Sequence, residues 1–242
     1  MNPVRIAMWS GPRNISTAMM RAWENRPDTF VVDEPFYAFY LNETHANHPG
    51  AAEVIASGET DWQKVIAYLT GDPPNRASVF FQKQMTHHLL PRVDRGWLAQ
   101  VTNCFLIRDP AHVIASYLKK NYEPTAEDLG FPQQIEIFEV AARLSGSTPP
   151  VIDADDVLRD PGRVLRLLCE GVGVDFSDAM LCWPPGLRAT DGIWATHWYS
   201  EVEKSTGFLP YRETSAAVPP QLASVHEQCE RIYRELHKLR LR

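Results

Sequence analysis

Between Met8 and Trp23 the chain reads MWSGPRNISTAMMRAW. A short apolar run ends in a loop holding Gly11, Pro12, Arg13, Asn14, Ser16 and Thr17, and a helix-like pattern begins at once. That layout is the layout of a phosphate-binding loop, where N–H groups left unpaired at a helix N-terminus face an anion. The nucleotide-hydrolysing form reads G-x-x-x-x-G-K-[ST]. With Thr17 on its last position, Ser16 stands where lysine belongs and Ile15 where glycine belongs. What remains is a turn, two hydroxyls, a helix start and Arg13, which can add a charge-assisted hydrogen bond. The same residues also allow an ordinary helix cap by Ser16 or Thr17, with Arg13 in solvent.

A second constellation lies in CFLIRDPAHVIASYLKK, residues 104–120. Arg108 ends a buried-strand pattern and Ser116 follows eight residues later. On a helix starting near Pro110, His112, Ser116 and Lys119 or Lys120 share a face, while Val113, Ile114, Tyr117 and Leu118 fall largely opposite. Arg108 and Ser116 can therefore converge on one anion. A surface arginine beside a solvated helix face fits the same residues.

Together the two motifs resemble the sulfotransferase family, whose donor is 3′-phosphoadenosine 5′-phosphosulfate. The resemblance implies that the strand–loop–helix holds the 5′-phosphosulfate through Gly11, Arg13, Asn14, Ile15, Ser16 and Thr17. It implies that Arg108 and Ser116 hold the 3′-phosphate. VIDADDVLRDPGRVLRLLCEGVGVDF, residues 151–176, resembles the family's strand, "DP" turn and following helix. The loop lacks the lysine of the cytosolic enzymes and is similar to the arginine-containing type of carbohydrate sulfotransferases, with Arg13 in the basic role. The 184–218 stretch resembles the family's late cofactor-contacting segment, with Gly192, Trp194 and Lys204 as candidate contacts.

Transfer to a hydroxyl or amine needs a base near the acceptor. Two candidates stand at strand ends. Glu34 in VVDEPFY resembles the "EP" motif, whose glutamate is the base that the resemblance implies. His87 in FFQKQMTHHLLP resembles the "K-T-H-L-P" stretch of the cytosolic enzymes, with Lys83 offset from that family's lysine. Read without the resemblance, Asp33 and Glu34 can cap or pair with Arg13 or Arg21, and His87 and His88 can simply precede a helix. His45, His48, His87 and His88 have no recognised metal-ligand spacing. A P-loop-like kinase is the rival enzyme class, disfavoured by Ser16 in the lysine position and supported best by Asp153, Asp155 and Asp156. A non-catalytic nucleotide-binding module is the third reading.

These residues need elements to carry them. Strand patterns cover 4–9, 29–35, 77–85, 103–109 and 149–157, the last leading into a turn. Helical patterns cover 15–25, 60–71, 110–120, 133–146, 160–173 and 219–242. Residues 36–60 and 121–132 read as loops or inserts, and 184–218 as irregular. Strands alternating with helices predict a three-layer α/β, P-loop-like fold with a central parallel sheet, read as one domain over 1–242. The resemblance implies that the two loop segments shape the acceptor pocket. Their aromatics and histidines, Phe36, Tyr37, Phe39, Tyr40, His45, His48, Tyr122 and Phe131, suit a sugar, a phenol or a small metabolite.

The formal net charge is −6, which argues against a general nucleic-acid or acidic-membrane binder and makes any anion site a local basic pocket. The four cysteines form no CxxC pair, which fits a reducing cytoplasm. No signal-peptide pattern is read at the N-terminus, and no stretch approaches the roughly 20 apolar residues of a membrane span. The terminal helix carries Leu222, Val225, Cys229, Ile232, Leu236 and Leu239 at helical spacing, and is read as packing on its own domain rather than on a partner.

Overall fold

Alternation along β1 (Val4–Ser10) explains the architecture. Ile6 and Met8 enter one buried cluster, Ala7 and Trp9 another, and all four are at most 1% exposed. A strand with no solvent face must be covered on both sides, because successive side chains point to opposite faces. The computed structural model describes residues 3–119, 123–213 and 216–242, and it shows that arrangement. β1, β2 (Thr29–Asp33), β3 (Val79–Met85), β4 (Thr102–Ile107) and β5 (Val151–Asp153) form one sheet in the order β2-β3-β1-β4-β5. Every pairing is parallel. All strands therefore deliver their C-terminal residues to one edge, where open parallel sheets bind ligands.

α1 (Ser16–Glu24) packs on the Ile6 face through Met19, Met20, Ala22 and Trp23. Trp23 stacks on Phe81 with ring centres 5.1 Å apart. Two short helices, α2 (Tyr37–Thr44) and α3 (Ala51–Ser57), occupy the stretch expected as a loop or insert. They pack on each other through Tyr37, Ala38, Leu41 and Val54, and neither has a side-chain cap, so the usual start signals are missing. α4 (Trp62–Thr70) begins at the expected cap, the Asp61 side chain accepting from the Gln63 N–H.

α5 (Pro110–Leu118) is capped by Asp109 with Pro110 in its first turn. Lys120 and Tyr122 lie outside the described residues. α6 (Phe131–Ser145) starts two residues before its predicted position, because Pro132 fits a first turn, where its missing N–H is not needed. β5 ends at Asp153 rather than running on: its carboxylate caps α7 (Ala154–Arg159) by accepting from the Asp155 N–H. Tyr233 donates to the other oxygen of Asp153. α8 (Pro161–Val172) has the expected Asp160 cap. α9 (Ala195–Trp198) is one short turn within the mostly irregular 184–218 stretch. α10 (Ala223–Lys238) is shorter than predicted, since Pro220–Leu222 form a 3₁₀ turn before it. Its Leu236 and Cys229 are fully buried within the chain's own clusters. No helix among the described residues is long and apolar enough to cross a membrane.

Candidate active site

The loop after β1 is shaped from below. A Cβ on Gly11 would run into the Leu129 carbonyl, and one on Gly130, at φ +74°, would meet the Thr86 hydroxyl. Glycine at these two positions lets three loops meet at the sheet edge. Arg13 sits in the left-handed region at φ 56°, a conformation that costs a non-glycine residue on the order of 1–3 kcal/mol. Its Nε donates to Ser116 Oγ at 3.0 Å.

The expected loop residues play different parts. Asn14 is a structural tie, donating to the Leu106 carbonyl and accepting from the Ile15 N–H. The Ile15 N–H is therefore already engaged, and its side chain packs against the α1 face of the core. Neither Ser16 nor Thr17 caps α1, which has Ile15 at its N-cap position and no side-chain cap at all. The N–H groups of the first helical turn are left for another acceptor.

Arg108 reaches the same place from the next strand. Its Nη1 donates to the Arg13 carbonyl at 2.7 Å, and its buried Nε has no partner. Burial pushes its pKa below the ordinary arginine value, with Asp155 opposing. Arg13, Arg108 and Ser116 are thus brought together beside an uncapped helix start, as the sequence spacing predicted. A buried guanidinium N–H without an acceptor is costly, and an anion is the natural group to satisfy it.

The acidic end of β2 is held by a residue whose role the sequence left open. Asp33 is the ladder partner of Lys83 across β2 and β3. Lys83 Nζ donates to Asp33 Oδ1 at 2.8 Å, Glu34 Oε1 at 2.6 Å and the Tyr199 hydroxyl at 2.7 Å. Tyr199 in turn donates to Asp33 Oδ2 at 2.6 Å, and the Gly192 N–H reaches that oxygen at 3.1 Å. Neither Arg13 nor Arg21 pairs with these carboxylates: Arg21 bonds Asp191 and Glu24 instead. Burial alone would lower the pKa of Lys83, but Asp33 and Glu34 outweigh it and hold the ammonium well above its usual value. Burial raises Glu34 above the usual carboxylate range, Lys83 pulls it down, and Asp33 pushes it up again. Glu34 also carries a left-handed φ of 43°.

Beyond Glu34 lies an aromatic cage. His88 stacks on both Tyr37 and Tyr40, ring centres 4.7 Å from each. Its Nδ1 lies 3.9 Å from Glu34 Oε2. His87, the histidine that the sequence singled out, stands edge-on to Tyr40 and His88. Burial, with His48 nearby, pushes its pKa down to about 3. Among the described residues the group with converging metal-type donors is Asp109, His226 and Glu230, not the histidines of this cage. Glu230 there is already paired with Arg234.

A cavity of about 450 Å³ is lined by Glu34, Pro35, Ser57, Lys64, Tyr68 and Trp194 among others. Part of the 36–60 stretch lines it, whereas none of the described residues of the 121–132 stretch does. Of the late-segment candidates, Gly192 bonds Asp33 and Trp194 donates to Tyr199; Lys204 lies in a 3₁₀ turn over Val202–Lys204. Sequence reasoning missed Tyr199 and the part played by Asp33. The strand register pairing Asp33 with Lys83 was a usable signal, but no local pattern places Tyr199.

A parallel sheet with Arg13 in the loop after its central strand and Arg108 at the end of β4 defines a class, and comparison with known proteins identifies it. Residues 4–219 match the sulfotransferase domain model, and the chain belongs to that family. Two proteins of Arabidopsis thaliana are similar in sequence. Branched-chain-amino-acid aminotransferase-like protein 2 is 31% identical over 228 residues, 94% of this chain and 40% of that protein. Branched-chain-amino-acid aminotransferase-like protein 1 is 35% identical over 209 residues, 85% of this chain and 37% of that protein. The chain thus spans about two-fifths of the length of these relatives. Among solved structures, a sulfotransferase from Alicyclobacillus acidocaldarius aligns with a TM-score of 0.56 at 13% identity, covering 99% of this chain and 96% of that one. The sulfotransferase domain from the curacin biosynthetic pathway aligns with a TM-score of 0.55 at 16% identity, covering 97% and 98%. Both share the fold.

Proposed function

We propose that the chain moves a sulfuryl group from 3′-phosphoadenosine 5′-phosphosulfate to a hydroxyl or amine of a small acceptor. The carrying observation is the partnerless, buried Arg108 Nε beside the Arg13–Ser116 pair. Arg108 and Ser116 would hold the 3′-phosphate. Arg13 and the first-turn N–H groups of α1 would hold the 5′-phosphosulfate. When bound, the donor supplies the sulfuryl group. Preorganised N–H groups and Arg13 stabilise the charge that develops on the bridging oxygens.

Glu34 is the base in this reading. Its strand ends on the same sheet edge as the loop, and Lys83 holds one carboxylate oxygen, Oε1, leaving Oε2 without a bond to it. A base with a pKa above the ordinary carboxylate range is better matched to neutral pH. His87 is the weaker candidate, because its lowered pKa makes it a poor proton acceptor. A kinase reading loses its best support, since Asp153 is committed to capping α7 and to Tyr233.

Calorimetric titration with adenosine 3′,5′-bisphosphate against ATP–Mg²⁺ tests the donor site. Binding of the bisphosphate alone supports the reading, and a preference for ATP–Mg²⁺ overturns it. A screen of sugars, phenols and small alcohols and amines with labelled donor then finds the acceptor.

A further inference from the structure

Two atoms near the end of β2 stand close without bonding each other. Glu34 Oε2 makes no bond to Lys83, which takes Oε1. His88 Nδ1 is buried and has no hydrogen-bond partner. The two face each other at 3.9 Å, too far for a direct hydrogen bond. A single oxygen placed about 2.7 Å from each would close that gap, an ordinary hydrogen-bond length. Buried polar atoms are nearly always satisfied, so the partnerless His88 Nδ1 calls for a third atom.

The cage holds His88 in place for such a task. Tyr37 lies almost parallel to its ring, at 4°, and Tyr40 stacks on it at 27°. The Tyr37 hydroxyl is itself fixed by His48 Nδ1 at 2.9 Å. Stacking on two tyrosines holds the plane of the ring. The side chain is 3% exposed, so water does not compete freely for it.

We propose that Glu34 Oε2 and His88 Nδ1 together clamp the nucleophilic oxygen of the acceptor, which makes the acceptor a hydroxyl compound rather than an amine. The inference rests on the sulfuryl-transfer reading. A nitrogen lone pair aimed at a carboxylate is repelled, so the proton of the neutral ring sits on Nδ1. Burial, with His87, His48 and Lys83 nearby, keeps His88 from taking a second proton. The acceptor O–H donates to Glu34 Oε2, and one oxygen lone pair accepts from Nδ1–H. The second lone pair attacks sulfur. The oxygen–sulfur bond forms, the bond from sulfur to the 5′-phosphate oxygen breaks with its electron pair on that oxygen, and the proton passes to Glu34. A neutral amine has one lone pair, and cannot both accept from Nδ1–H and attack.

The test begins with ¹⁵N NMR of the wild-type protein, the His88 signals being assigned by their loss in His88→Gln. A proton on Nδ1 is expected, and a proton on Nε2 with a bare Nδ1 overturns the clamp. The screen's acceptor is then compared with its amine-for-hydroxyl analogue. The hydroxyl compound should turn over at least about 10²-fold faster, and an equal or faster amine overturns the proposal. His88→Phe keeps the stack and removes Nδ1. It should cut turnover at least 10-fold while adenosine 3′,5′-bisphosphate binds within twofold of wild type; unchanged turnover refutes the role. Failure to bind the bisphosphate in the wild type sinks the donor reading itself, and is thereby distinguished from failure of the clamp.

Discussion

Arg108 Nη1 donates to the main-chain carbonyl of Arg13 at 2.7 Å, so the cation ending β4 is anchored on the loop that follows β1. Two motifs 95 residues apart in sequence form one basic unit through that bond. Arg108→Ala should weaken adenosine 3′,5′-bisphosphate binding by roughly 1.5–3 kcal/mol, the range for a hydrogen bond to a charged group. Affinity for an analogue lacking the 3′-phosphate should barely move. Calorimetry with both ligands decides: equal losses would mean that Arg108 serves only to hold the loop.

Glu34→Gln keeps size and packing but removes the base. Turnover should fall on the order of 10²-fold or more, as losses of a general base do. Nucleotide affinity should stay nearly intact. If this variant turns over like wild type while His87→Asn is inactive, the base is His87.

Lys83 opposes the burial that raises the Glu34 pKa. Without it, burial and Asp33 act alone, and both raise that pKa. Glu34 works as a base only when ionised, so activity climbs as pH rises through its pKa. In Lys83→Met the acid limb of the kcat/KM profile should therefore move to higher pH. Removing one partner of a buried ion pair also costs about 3–5 kcal/mol of stability, readable as a lower midpoint in urea. An unmoved acid limb would show that Lys83 does not tune Glu34.

His87 and His88 are buried in their neutral forms, with folded-state pKa values below the usual histidine value. In the unfolded chain they take up protons near the ordinary value of 6.5, while in the fold they resist. The unfolded state then binds more protons, so stability falls as pH drops below that value. Each histidine contributes a slope of up to about 1.4 kcal/mol per pH unit. For His87 that slope ends near its folded value of about 3. Urea midpoints measured from pH 7.5 to 4.5 check this, and a flat profile contradicts it.

The sheet was readable because its strands are apolar on both faces and are punctuated by Pro, Gly and Asp. The Arg13, Arg108 and Ser116 grouping was readable because strand ends and first helical turns share one edge in a parallel fold. Helices α2 and α3 were hidden because they have no caps and pack on each other rather than on a long amphipathic face. The different surroundings of His87 and His88 were hidden for a similar reason. Two adjacent histidines after a strand are equivalent in sequence, and only the stacking of Tyr37 and Tyr40, from a helix that was not foreseen, separates them. Tyr199 comes from a stretch without periodicity, so no local rule announces it.

The stretch from Arg188 to Tyr199 has little backbone ladder of its own and is fastened mainly by charge. Arg188 and Thr190 bond Glu24, Asp191 bonds Arg21, and both Gly192 and Tyr199 bond Asp33. Segments that open below the global unfolding limit are those with few ladder bonds to break. Here such opening must also strip two partners from the carboxylate that pairs with Lys83. Amide hydrogen exchange along 188–199 therefore becomes a readout of the charge state at the end of β2. Asp33→Asn should speed exchange across that stretch while the amides of β1 and β4 keep their protection. Uniform acceleration through the whole sheet would show instead that the segment and the core open as one cooperative unit.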